Sequence, residues 1–314
     1  MKKQLYFTLI FLMALCIGYS QEDASASKNK IPSLNGHNFT SINYLRSSFI
    51  TTSLQANLGI GITSNIKIPG IIIDDYEILS FEGKILNLNM EVQYHQRFTP
   101  WLEMFMSFGL AGRLGTDMST ILADGVNTIS GGNIGWMIRI SQSKKFNLSG
   151  SVYVQNLTGN FINVTEYFKE IINNNPDPSV TKIVPAMMVG GGIMGAYAFS
   201  PTFGLQFQSD ILYGESFERG KTKVYWGAAI VGDADFNPKY NVPVGLAFGY
   251  TLTSAPEIVM NDGGFSNLLT GKVSYTGSKE FELGLQYNYY NVTIKSVDEK
   301  PFLSKITLIL KFYF

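Results

Sequence analysis

Apolar and polar residues alternate in twelve successive stretches. The connections between these stretches are by turns long and short, and the last stretch runs to an aromatic terminus. Together the three observations predict an all-β fold: a transmembrane, antiparallel, up-and-down β-barrel of about twelve strands, with a short helix in its third extracellular loop. A period of two gives each strand an apolar face for lipid and a polar face for a lumen. Closing the sheet leaves no unpaired edge in hydrocarbon.

Residues 1–20 read as a secretory signal peptide. Lys2 and Lys3 form the positive end, Leu5 to Ile17 the apolar core, and Gly18 and Ser20 the small residues before cleavage ahead of Gln21. The apolar run is too short for a spanning helix. Leu15 stands where a lipobox before Cys16 would need a small residue, which argues against lipidation. Cys16 is the only cysteine, so an exported chain cut at Gln21 has no disulfide to stabilise it and needs another route, such as a closed sheet. Residues 21–48 are polar and then mixed, with Pro32 and Asn35-Gly36. They are expected to form either a periplasmic arm or a plug in the barrel mouth. The barrel itself is expected over residues 49–314.

The formal charge is zero, with 24 basic and 24 acidic residues, so nothing favours nucleic acid as a partner. Charged residues are 15% and aromatics 13%, with 31 glycines, which suits a lipid-facing sheet around a lumen with little free charge.

The first strand sets Leu54, Ala56, Leu58, Ile60 and Ile62 against Gln55, Asn57, Gly59, Gly61 and Thr63. The second sets Leu86, Leu88, Met90, Val92 and Tyr94 against Asn87, Asn89, Glu91, Gln93 and His95. A Phe98–Trp101 turn leads to a third around Leu102–Leu110. The fourth centres on Ile134–Ser141 and the fifth on Leu148–Gln155, joined by a turn at Gln142–Lys145. The sixth, about Ala186–Phe199, is rich in glycine and methionine and its faces are poorly distinguished. Ser200-Pro-Thr202 turns into the seventh at Leu205–Tyr213. The eighth covers Lys223–Ile230, followed by a longer connection at Gly232–Asn241. The ninth covers Val244–Thr253, the tenth Leu269–Thr276, the eleventh Phe281–Tyr289 and the twelfth Lys305–Phe314. Tyr94, Tyr213, Tyr250, Tyr289, Phe312 and Phe314 fall on the apolar parity near strand ends, where aromatic girdles sit.

Between Ser53 and Phe314 this pattern, with its closing Phe312-Tyr-Phe314, is similar to the outer-membrane β-barrels of Gram-negative bacteria. It is porin- or transporter-like in architecture, and no motif ties it to one subfamily. The resemblance implies export to the outer membrane and outer-membrane lipid around the barrel. It also implies a barrel-assembly machinery that reads Phe312 and Phe314 as the assembly signal.

The lumen-facing parity carries Glu91, His95, Glu103, Arg139, Asp210, Lys223, Lys272, Glu282, Lys305 and Lys311. One reading is a polar constriction that selects solutes by charge. The other is that these groups pair across a narrow interior and satisfy one another. Glu91 and Glu103, on neighbouring strands, are candidates for a close carboxylate pair. Small inward residues on strands six, eight and nine (Gly190, Gly192, Gly227, Ala229, Gly245, Ala247 and Gly249) predict an open sector of lumen. Val189-Gly-Gly-Gly-Ile193 lacks the Lys-Ser/Thr of a phosphate loop and lies in a strand pattern, so it reads as bending or close packing.

A nucleophile–histidine site would have to use His37 or His95, the only histidines, and no serine or aspartate motif accompanies either. No enzyme, no cofactor and no metal are therefore expected. In the third long loop Phe161, Val164, Phe168 and Ile171 recur at helical spacing before Asn173–Pro178 stops the pattern. That helix either folds inward to narrow the pore or packs on the rim as a cap or binding surface. The leading functional expectation is a narrow channel or transporter for small solutes. The alternative is a non-conducting barrel serving as anchor, adhesin or secretion-system component, and an outer-membrane hydrolase is the weakest reading.

Overall fold

A computed structural model of the chain describes residues 31–68, 72–73, 76–77, 81–114, 125–217, 221–254, 265–291 and 302–314. The expected signal peptide and residues 21–30 of the arm lie outside the described residues.

Twelve strands close into one antiparallel barrel. They are β1 (Ser53–Thr63), β2 (Leu86–Thr99), β3 (Leu102–Leu114), β4 (Gly125–Gln142), β5 (Phe146–Ile162) and β6 (Thr181–Ala198). The others are β7 (Phe203–Glu215), β8 (Thr222–Asp235), β9 (Val244–Thr253), β10 (Ser266–Tyr275), β11 (Phe281–Asn291) and β12 (Phe302–Tyr313). Each pairs with the next in sequence, and β12 closes on β1 in the register Leu308↔Leu58 and Phe312↔Leu54. Side-chain period therefore becomes a division between outside and inside. Leu58, Val152, Val224 and Phe248 are 58%, 61%, 65% and 70% exposed, whereas their strand neighbours Asn57, Ser151, Tyr225 and Ala247 are buried. An apolar outer surface of that extent is the surface a bilayer solvates.

The short connections gather at one rim, here the turn rim, and the long ones at the other, the loop rim. β4, β5 and β6 have 18, 17 and 18 residues, well beyond the ~9–11 a tilted spanning strand needs. Their extra length is at the loop rim, where sequence alternation had predicted loop. There the outward residues of β5 become Asn156, Thr158 and Asn160. Away from hydrocarbon neither face has to be apolar, so the ladder continues while its sequence signal stops. Beyond Met188↔Gly214, β6 has no ladder partner on its β7 side among the described residues. The amide of Met187 on that edge donates to Glu215 Oε2, and the next amide on the same side belongs to Pro185, which has none to offer. A proline at that position blunts an open edge.

Residues 31–52 run inside the barrel. Asn35 and Gly36 (φ +50° and +82°) make the two-residue turn of a small hairpin pairing Ser33↔Asn38 and Leu34↔His37, the positive φ values of such a turn favouring Asn-Gly. The segment buries its apolar residues against inward wall residues. Leu34, Phe39 and Phe49 meet Ala196 and Ala198; Ile42 and Leu45 meet Ala229, Val231 and Ala247; Ile50 joins Phe105, Met137, Met194 and Tyr225.

Two helices are present among the described residues, α1 (Val164–Ile172) and the single turn α2 (Asn237–Tyr240). α1 starts at Val164 rather than at Phe161. Asn163 Oδ1 accepts from the Glu166 amide at 2.8 Å and caps the helix there. Phe161 stays on the β5 ladder opposite Lys182 and packs edge-on against Phe217.

Candidate functional site

An extended segment without a sheet partner must find acceptors for its amides. Here the inward side chains of the wall provide them. The amide of Thr40 donates to Asp233 (3.0 Å), that of Ser41 to Glu282 (3.0 Å), that of Asn43 to the Gln286 carbonyl (3.0 Å), that of Arg46 to the Gln208 carbonyl (2.5 Å) and that of Thr51 to Glu103 (2.7 Å). These acceptors come from β8, β11, β7 and β3, so the segment is held around most of the circumference. Hydroxyls repeat the pattern, with Thr40 Oγ1 on Asp233 at 2.6 Å and Ser41 Oγ on Glu282 at 2.8 Å.

Asp233 is the most heavily used of these acceptors. Besides Thr40 it faces His37, whose Nε2 lies 3.0 Å from Oδ1, and Gln206 Nε2 approaches at 3.4 Å. Gly204 provides the room, because a Cβ there would sit 2.6 Å from the rings of His37 and Phe39. Asp233 lies on the end of β8, in a stretch that the sequence reads as connection. Its partner is 193 residues away, and no local signal marks it. Thr40, Arg46 and Tyr44 go unmarked in the sequence for the same reason, and His37 enters there only as one of the two histidines weighed for a catalytic site.

Arg46 fills the middle of the lumen. Its guanidinium lies 4.0 Å from the Phe105 ring centroid and 4.5 Å from that of Tyr153, and it donates to Ser151 Oγ at 3.0 Å. Stacking between two rings suits a weakly hydrated planar cation. Tyr44 extends towards the loop rim, where its hydroxyl accepts from Lys305 Nζ at 2.5 Å and its ring meets Tyr290 edge-on.

The ten lumen-facing candidates are therefore spread along the wall, many of them engaged with the internal segment or one another. Glu103 takes the Thr51 amide and His95 Nδ1 at 2.5 Å. Glu282 pairs with Lys272 and with Ser41, and Lys272 also reaches the Ser41 carbonyl. Lys311 lies across the ladder from Glu282, with its Nζ 5.2 Å from the Tyr313 ring centroid. Asp210 accepts from Gln208. Arg139 is near the turn rim beside Glu103, and Lys223 is near the loop rim. Glu91 and Glu103 are not brought together. Glu91 opposes Gly109 and Glu103 opposes Arg97, six positions apart on β3, and Glu91 instead accepts from Asn57 and Gln93 at 3.0 and 2.9 Å.

The sector of small residues also differs from expectation. Ala229 and Ala247 pack on Ile42 and Leu45, and a Cβ on Gly245 would meet Thr40 at 2.9 Å. Those positions are small because the segment occupies the space beside them. The open space lies mainly beside β2–β4, with β12 and β5 contributing at its margins. One cavity of about 210 Å³ follows the segment past His95, Gln93 and Tyr313, and another of about 240 Å³ continues to Asn87, Gln155 and Leu303. Both are lined by Asn43, Tyr44, Glu91, Ser107 and Asn133, so they adjoin. The helix α1 does not enter this space. Val164 packs on Ile162 and Val180 at the loop rim, while Phe168 and Ile171 are 42% and 43% exposed.

No protein-family model and no curated protein matches the sequence. Solved structures do match in fold. An outer membrane channel from Pseudomonas putida F1 aligns with TM-score 0.50 and 12% identity, over 88% of this chain and 100% of that one. The translocator domain of the autotransporter NalP from Neisseria meningitidis gives 0.47 and 9%, over 84% and 88%. The KdgM porin in complex with disordered oligogalacturonate gives 0.46 and 7%, over 83% and 99%. At these identities the likeness concerns the fold alone. With its twelve closed strands and apolar outer surface, the chain has the fold of a transmembrane β-barrel, the fold of that outer membrane channel.

Proposed function

We propose that the barrel is a narrow channel for small solutes, and that residues 32–51 set its width from inside. The observation that carries this is the pair of adjoining cavities, lined mainly by β2–β4 and β12, which leaves a passage beside the internal segment while its other flank is packed against β6, β8 and β9. In this reading the inward carboxylates and amides on one side chiefly hold the segment, and the solute path runs along the opposite wall, where Glu91, Lys305 and Lys311 stand among amides and hydroxyls. This reading gives both histidines structural parts, His95 on Glu103 and His37 against Asp233, and assigns no hydrolytic role. Residues 1–20 direct export and are removed before Gln21, the turn rim faces the periplasm, and the assembly machinery recognises Phe312 and Phe314.

Purified protein in planar bilayers is expected to give small, discrete conductance steps, and deletion of residues 32–47 is expected to enlarge them. If neither form conducts and neither makes liposomes permeable to small solutes, the channel reading fails. One observation favours a second reading, a non-conducting barrel that acts through its loops. The extended β4–β6 sheet carries α1 with Phe168, Ile171 and Ile172 exposed. That reading predicts crosslinking of α1 to a stable partner in cells, with no conductance.

A further inference from the structure

The 240 Å³ cavity has an unusual chemical lining. Asn87 and Asn89 are buried, at 3% and 9% exposure, and Asn133 and Gln155 are half-buried. Among the described residues none of these four side chains hydrogen-bonds another protein group, and Asn89 Oδ1 is a buried acceptor with no donor. The charged residues of the same cavity are already engaged, Glu91 by Asn57 and Gln93, and Lys305 by the Tyr44 hydroxyl. Tyr44, Tyr290, Leu157 and Leu303 add apolar surface.

Buried polar groups are normally paired, so amides without a protein partner around a cavity are left to pair with water or with a solute that offers complementary groups in its place. A primary amide both donates and accepts, and so does a hydroxyl. An apolar solute would leave these amides desolvated, at a cost of about 1–3 kcal/mol for each group. A charged solute would meet an acid and a base in the same cavity, Glu91 and Lys305, so attraction to one is offset by repulsion from the other. The volume is below the ~300 Å³ at which pockets for drug-sized ligands begin, so it suits one small molecule.

We infer that this cavity is a binding site for a neutral polyhydroxylated solute of monosaccharide size, its hydroxyls paired with Asn87, Asn89, Asn133 and Gln155 and its carbon face against Tyr44 and Tyr290. The inference rests on the channel reading for the route by which solute arrives, and binding itself can be measured without conduction.

The test uses the full barrel with residues 31–52 in place, in a detergent without a sugar headgroup, titrated calorimetrically with glucose and with sorbitol. Gluconate and glucosamine serve as charged controls. Glucose and sorbitol should bind, and the charged analogues should bind at least about tenfold more weakly, the factor that ~1.4 kcal/mol represents. Asn133→Leu and Gln155→Met keep the side-chain shape, and each should lower glucose affinity by about three- to tenfold, as loss of one or two neutral hydrogen bonds would. Heat-modifiable migration on a gel reports that the variants are folded. The inference is overturned if the folded protein binds neither polyol, if the charged analogues bind equally well, or if both folded variants bind like the parent. Polyol binding without bilayer current would sink the channel reading and leave the site standing. Current without polyol binding would do the reverse.

Discussion

Replacing Asp233 by alanine should release the internal segment locally while the barrel stays intact. In the folded protein this carboxylate takes the amide and hydroxyl of Thr40 at 3.0 and 2.6 Å and faces His37. Hydrogen bonds to a charged acceptor contribute about 1.5–3 kcal/mol each, so the two from Thr40 represent about 3–6 kcal/mol. Removing a buried carboxylate also removes its desolvation cost, which offsets part of that loss and leaves a net effect of about 2–3 kcal/mol. An opening equilibrium shifted by that amount changes about 30- to 150-fold. Hydrogen exchange read by mass spectrometry on peptides covering residues 39–48 measures that opening directly. Protection there should fall by this factor, while peptides from β1 and β12 keep theirs. The reasoning is refuted if protection in 39–48 changes less than about threefold, the scale of a single weak hydrogen bond. It is also refuted if protection falls equally in the strands, since Asp233 would then be supporting the barrel rather than the segment.

Gly204→Val approaches the same contact from the wall side. Its Cβ would lie 2.6 Å from the rings of His37 and Phe39, an overpacking worth about 1–3 kcal/mol, so exchange in residues 33–41 should speed up with the barrel yield unchanged. Deleting Phe314 should impair assembly in the membrane and leave export intact, measured as heat-modifiable barrel against total exported chain. A normal barrel yield would remove the terminal aromatic from the assembly signal.

The strands that cross hydrocarbon were legible because lipid imposes period two on them. Leu54 to Ile62 and Ile306 to Phe312 must be apolar at every second residue, and that constraint is written locally. Where the constraint ends, legibility ends too. Gly125–Gly132 and Thr181–Pro185 belong to β4 and β6 but read as loop, because above the membrane a ladder can form without alternation. Phe161 shows a related limit. Its spacing fits a helix, and the Asn163 cap and the pairing with Lys182 decide otherwise.

The sequence by itself determined the closed sheet, the inward parity of residues such as Glu103, Lys272 and Glu282, and the outward parity of Phe312. Each of these follows from a solvent acting on one side chain at a time. Only the tertiary structure decided what the inward groups do. Thr40 meets Asp233, Ser41 meets Glu282 and Arg46 meets Phe105 across separations that no local pattern encodes. A lumen-facing carboxylate looks the same in sequence whether it meets water, a passing solute or the amide of a distant segment. The same holds for the small residues Ala229 and Ala247, which read as empty space and prove to be the bed for Ile42 and Leu45. Volume left by a small side chain becomes a passage or a packing surface according to what else the chain puts there, and that is a property of the folded molecule.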